Sequence, residues 1–212
     1  FAATQGHGAS AERFNRALEQ DAYLPGVCFK YHAACYMTHS SIEAIRDLFS
    51  THRFAPNDVT GVELTVNEGH FGICNIAAPC SGLEAKFSLR FTAAMALCGR
   101  DTSGIETYTD QLTREPELVA LRDKVQVVAW PDARPETRVR ISVGAQTFEA
   151  STNVGIPLTD LDAQWQKLTR KFHALIDPLL GRAAADTLVD LCRNLDAATD
   201  LKPFWRLIQG AA

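Results

Sequence analysis

The chain has 212 residues, 46% of them hydrophobic, and a formal net charge of −4. That length suits one or two domains with a real core, and the lack of a basic stripe excludes a nucleic-acid partner, which needs clustered Lys and Arg. No apolar run approaches the roughly 18 residues of a membrane span, and the six cysteines at 28, 35, 74, 80, 98 and 192 contain no CxxC pair, so they read as a reduced, cytoplasmic set rather than a disulfide framework.

The chain opens FAATQGHG, without Met and without a leader pattern, and is expected to be a piece of a longer protein. Ser10 can cap a helix running to about Asp21, and Pro25 and Gly26 break it. Thr38 or Ser40 can cap the next helix, whose apolar face is Ile42, Ile45, Leu48 and Phe49. VTGVELTVN alternates, with Val62, Leu64 and Val66 on one face, and predicts a half-buried strand. FGICNIAAP reads as a short strand or a loop ended by Pro79. AKFSLRFTAAMALCG has helical spacing, predicting a helix over 84–98 that Gly99 terminates. Short helices are expected near 104–112 and 116–123, before the strand KVQVVAW. TRVRISVG and QTFEASTNV, joined at Gly144–Ala145, form a hairpin. From Thr159 onward the pattern is helical, with Trp165, Leu168, Phe172, Leu188, Leu191 and Trp205 expected on an apolar face that another domain or subunit covers. The order predicts an α+β fold: a small, mainly antiparallel sheet in the middle, with helices at both ends.

The densest chemistry lies in FKYHAACYMTHSSIEAI, where Lys30, His32, Cys35 and His39 fall within ten residues. Three of these could face one another only on a helix, and no second ligand cluster accompanies them, so no metal site is expected. A nucleophilic Cys35 activated by His39 is conceivable at a helix N-terminus, although a free Cys is more often a small buried residue. An anion site is better founded: a helix start offers unpaired N–H groups, Lys30 adds a full charge and His39 a donor. Residue spacing leaves that reading level with a solvated Lys30 and a packing His39. His7, His70 and His173, and the three tryptophans, read as turn, packing or edge residues.

With FKYHAACYMTHSSIEAI, AKFSLRFTAAMAL, KVQVVAWPD, RVRISV and PLTDLDAQWQKLTRKF in this order, the sequence resembles the MmgE/PrpD family, which includes 2-methylcitrate dehydratase, cis-aconitate decarboxylase and iminodisuccinate epimerase. The resemblance implies an enzyme with a large all-helical domain and a smaller α/β lid. Residues 1–25 would end the helical domain, 26–157 would form the lid, and 158–212 would return to the helical domain. It implies a small di- or tricarboxylate substrate, no cofactor and a homodimer. The family's Lys and His map onto Lys30 and His39 as catalytic residues. Substrate contacts fall to Lys30, Cys35, Lys86, Ser88 and Arg90. Cys35 stands where some relatives carry His, and Phe91 where some carry Tyr, which puts thiol or phenol chemistry in doubt.

The implied reaction is proton transfer next to a carboxylate, with cations stabilising an enediolate-like charge and His39 moving the proton. Dehydration is the first expectation, with epimerisation as the alternative. A non-catalytic assembly module that pairs with the missing helical domain or a second subunit is the rival.

Overall fold

A computed structural model describes Glu12 and residues 26–209. The helix expected from Ser10 and the first proposed domain segment lie outside that range, Glu12 apart. Helix α1 runs His39–His52, followed by strand β1, Val59–Val66. Three helices follow, α2 (Phe71–Cys74), α3 (Gly82–Ala85) and α4 (Leu89–Leu97). Then come α5 (Pro116–Arg122), β2 (Val125–Ala129), β3 (Thr137–Val143) and β4 (Gln146–Thr152). The chain closes with α6 (Leu161–Leu180), α7 (Arg182–Arg193) and α8 (Lys202–Ile208). No helix among the described residues is long and apolar enough to cross a membrane.

The four strands form one sheet in the order β2-β1-β3-β4. β1 pairs antiparallel with β3 and β3 with β4, while β1 pairs parallel with β2. The fold is thus α+β with a mixed, mainly antiparallel sheet. Register follows the alternation. Val62 and Leu64 stand opposite Val125 and Val127 on one side and Ile141 and Val139 on the other, and all six side chains are buried. A one-residue slip would send this row to solvent, so burial fixes the pairing. The opposite face carries Glu63, Arg140 and Glu149, with Arg140 bonded to Glu149 at 2.9 Å.

α1 lays Ile42, Ile45 and Leu48 onto β3, β4 and α4. α4 is buried along its whole length and also meets α5 and β2. Gly99, at φ +62°, ends it as expected: its amide bonds Ala96 and that of Arg100 bonds Met95, a left-handed stop that a side chain would strain.

Three expectations are corrected. FGICNIAAP is neither strand nor simple loop. Asn67 accepts from Gly69 N at 2.9 Å, a 3-10 turn follows, and α2 continues it. Phe71 and Ile73 stay exposed and only Cys74 and Pro79 are buried, so no sheet face forms; one bridge, Asn75 to Ser88, remains. The helix expected over 84–98 is two helices, because Ser88 adopts an extended backbone and caps Phe91 N. The segment near 104–112 is irregular. Asp101 binds the amides of Ser103 and Gly104, which satisfies the backbone without a helix.

In the tail, Gly181, at φ +78°, reverses the chain between α6 and α7. The two helices then cover each other's faces. Trp205 is 53% exposed as expected, but Leu188 is 3% exposed and Trp165, Leu168, Phe172 and Leu191 are half-buried.

Leu64→Ala, which opens a cavity at the centre of the sheet, is expected to cost about 2–5 kcal/mol. Leu83→Ala, at a residue 68% exposed, should stay within about 0.5 kcal/mol. Denaturant midpoints at constant slope measure both.

Candidate active site

The segment from Lys30 to Cys35 has no regular structure, so its amides need partners from elsewhere. Ala33 N donates to Thr102 O at 2.8 Å and Cys35 N to Lys86 O at 2.9 Å. These bonds lay the segment between the loop after α4 and the end of α3. A 3-10 turn, Tyr36–Thr38, then leads into α1. Thr38 precedes the helix as expected, but its hydroxyl donates backwards, to Cys35 O at 2.8 Å.

A cavity of about 440 Å³ opens over this segment, and its wall includes Lys30, Cys35, Lys86, Phe87, Ile105 and Lys171. Lys86 follows directly on α3, with Nζ 5.4 Å from the centre of the Tyr108 ring. Lys171 reaches in from α6 and donates to the Lys30 carbonyl. Among the described residues, the lysines held in ion pairs are Lys167, on Glu43, and Lys202, on Asp200. Lys30, Lys86 and Lys171 have no such partner. Burial, and then the charge of Lys30, holds the Lys171 ammonium below its ordinary value.

Of the residues expected at the site, Lys30, Cys35 and Lys86 come together. Ser88 and Arg90 do not join them. Ser88 is fully buried, its hydroxyl donating to Ile76 O at 2.6 Å and accepting from Phe91 N at 3.1 Å; its one O–H is thus used and cannot donate to a carboxylate. Arg90 donates from Nη1 to the Asn75 side chain and does not line the cavity.

His39 lies beneath the cavity, fully buried, with Nε2 3.4 Å from Ala34 O and Nδ1 without a partner among the described residues. Burial pushes its pKa down to about 3, with nearby His32 adding to the effect. The expectation of a proton carrier poised near neutrality is therefore corrected: His39 is a neutral imidazole. The start of α1 is also closed to an anion. Ser40 and Ser41 are buried, and Ser40 Oγ accepts from Val154 N at 3.2 Å. The cationic groups at the cavity are the lysines instead.

Sequence reasoning missed Lys171, because its partner Lys30 lies 141 positions away and no motif links the two. It also missed Glu43 as the partner of His32, at 3.0 Å. Their spacing of eleven carries no motif. A larger cavity, of about 980 Å³, runs along α6 and α7, but its charges are largely paired: His173 and Arg182 bind Asp177 and Asp186. Among the described residues, no group of three or more His, Cys, Asp or Glu could hold a metal ion.

A family model, the MmgE/PrpD C-terminal domain, matches residues 32–197. Comparison with curated proteins finds no match.

The His39 environment sets a pH dependence. Its pKa is about 3 when folded against 6.5 for the free side chain, so between these values the unfolded chain binds a proton that the folded chain refuses. The contribution is complete above about pH 6.5 and is lost as pH falls toward 3, at up to about 1.4 kcal/mol per pH unit. His39→Leu is expected to flatten the fall in stability between pH 6.5 and 4 by close to one proton, read from denaturant unfolding at several pH values.

Proposed function

We infer that this chain, which belongs to the MmgE/PrpD C-terminal domain family, supplies the carboxylate-binding wall of a lyase acting on a small di- or tricarboxylate. The observation that carries the reading is the convergence of Lys30, Lys86 and Lys171 on one cavity with no carboxylate partner among the described residues. Clustered cations repel one another, and a polyanion removes that cost while gaining charge-assisted hydrogen bonds. Phe87 and Ile105 in the same wall offer apolar contact to the carbon skeleton between carboxylates.

The chemistry that suits this wall is removal of a proton next to a carboxylate. Negative charge then develops on the carboxylate oxygens, where Lys30 and Lys86 stabilise it as fixed donors. Lys171, an ammonium whose pKa is lowered by burial and by Lys30, cannot take that proton while charged and serves as a third donor, so the base is a group outside these lysines. Transfer of a proton from the Lys171 ammonium to the β-hydroxyl lets it leave as water, which completes a dehydration of the 2-methylcitrate type. An epimerisation begins with the same proton removal, and analysis of the product separates the two. Neutral and buried, His39 supports the Ala34 carbonyl at the cavity floor, so its replacement acts on binding more than on turnover. A purely architectural module gives no reason for three lysines without a carboxylate partner among the described residues to share one cavity.

Lys30→Ala is expected to weaken polycarboxylate binding about 10- to 100-fold, the loss of a charge-assisted bond of about 1.5–3 kcal/mol. Ser88→Ala, by contrast, should lower stability by about 1 kcal/mol through the lost cap and leave KM unchanged. Unaltered kinetics in Lys30→Ala would refute the reading.

A further inference from the structure

Beneath the cavity lies a second polar cluster that the proposed chemistry does not use. His32 is 1% exposed, with Nε2 3.0 Å from Glu43 Oε1 and Nδ1 2.7 Å from Thr102 Oγ1. Glu43 Oε2 accepts from Lys167 Nζ, which also sits 5.2 Å from the Tyr31 ring centre. Arg46 donates to Thr102 Oγ1 at 2.9 Å.

The hydrogen bonds have one direction. Burial favours a neutral Glu43 carboxyl, but bonds from His32 and Lys167 outweigh it and hold the pKa at about 2. An ionised carboxylate only accepts, so His32 must carry its proton on Nε2. Nδ1 then accepts from the Thr102 hydroxyl, whose oxygen receives Arg46. Every member is satisfied, and the chain of bonds spans α1, the 30–35 segment, the loop after α4, and α6.

Lys167 and Lys171 stand one helical turn apart on α6, where residues at this spacing share a face. Lys167 is bound by Glu43, and Lys171 by the carbonyl of Lys30, two residues before His32. Both lysines therefore grip the same few residues. We propose that Glu43, with His32 and Lys167, is a positioning unit that holds α6 against the 30–32 segment and so sets Lys171 beside Lys30 for one polyanionic ligand. The Glu43 carboxylate pairs with Lys167 and so anchors α6 one helical turn from Lys171, which is thereby set beside Lys30. This rests on the carboxylate reading of the cavity.

Calorimetric titration of the full chain with citrate tests it. Glu43→Gln and Lys167→Met are each expected to weaken citrate binding about tenfold, close to the loss of one charge-assisted bond, and Lys167→Arg to restore it. Lys167 is 35% exposed, so its variants test the idea even where Glu43→Gln fails to fold. The effect must also vanish in a Lys171→Met background, because a unit acting through Lys171 has nothing left to position. Wild-type affinity in Lys167→Met, or a loss that simply adds to that of Lys171→Met, overturns the positioning role and leaves the carboxylate site standing. Unchanged citrate binding in both Lys30→Ala and Lys171→Met instead removes the carboxylate site, and the positioning role with it.

Discussion

Two backbone hydrogen bonds, Ala33 N to Thr102 O and Cys35 N to Lys86 O, organise everything on the functional side of the molecule. The 30–35 segment is neither helix nor strand, and buried amides left unpaired would each cost about 1–3 kcal/mol. The segment is therefore held to whatever offers it carbonyls. Those carbonyls belong to the loop after α4 and to the residue that follows α3, so α3, α4 and α1 are locked around one strip of chain. Lys30, Cys35 and Lys86 share a cavity because that strip runs where it does.

The same strip explains why cations collect there at tolerable cost. Lys30 lies at its exposed end, Lys86 interacts with the face of Tyr108, and Lys171 spends one hydrogen on the Lys30 carbonyl. None is deeply buried, so solvent screens much of the repulsion until a ligand enters. Deeper down the opposite solution holds. Glu43, His32, Thr102 and Arg46 are satisfied by one another, which suits a fixed base.

His39 and Ser88 show how a residue type with chemical potential can be absorbed by structure. Both stand where a helix begins, and a helix start asks its nearby side chains to bond the backbone or fill space. Ser88 caps α4 with its hydroxyl. His39 faces His32 edge-on, with ring centroids 4.7 Å apart, and is too buried to be charged. Arg90, half a turn into the same helix, donates to Asn75.

The strand alternation of Val62–Leu64–Val66, the hairpin at Gly144, the Gly99 stop and the helical tail were all legible along the chain, because periodicity and turn chemistry are local properties. The resemblance of the motifs pointed to Lys30, Cys35 and Lys86, and the fold lines one cavity with all three. The parallel pairing of β1 with β2, the break of the expected long helix at Ser88 and the irregular 101–111 loop were not legible along the chain. Each depends on partners that no local window contains. The same holds for Lys171 and Glu43, whose roles arise only when α6 is folded back onto a segment 141 residues earlier. Protonation, too, was decided in three dimensions: a histidine is a pH-sensitive group in sequence, and burial, with neighbouring His32 and lysines adding to it, makes His39 a neutral one.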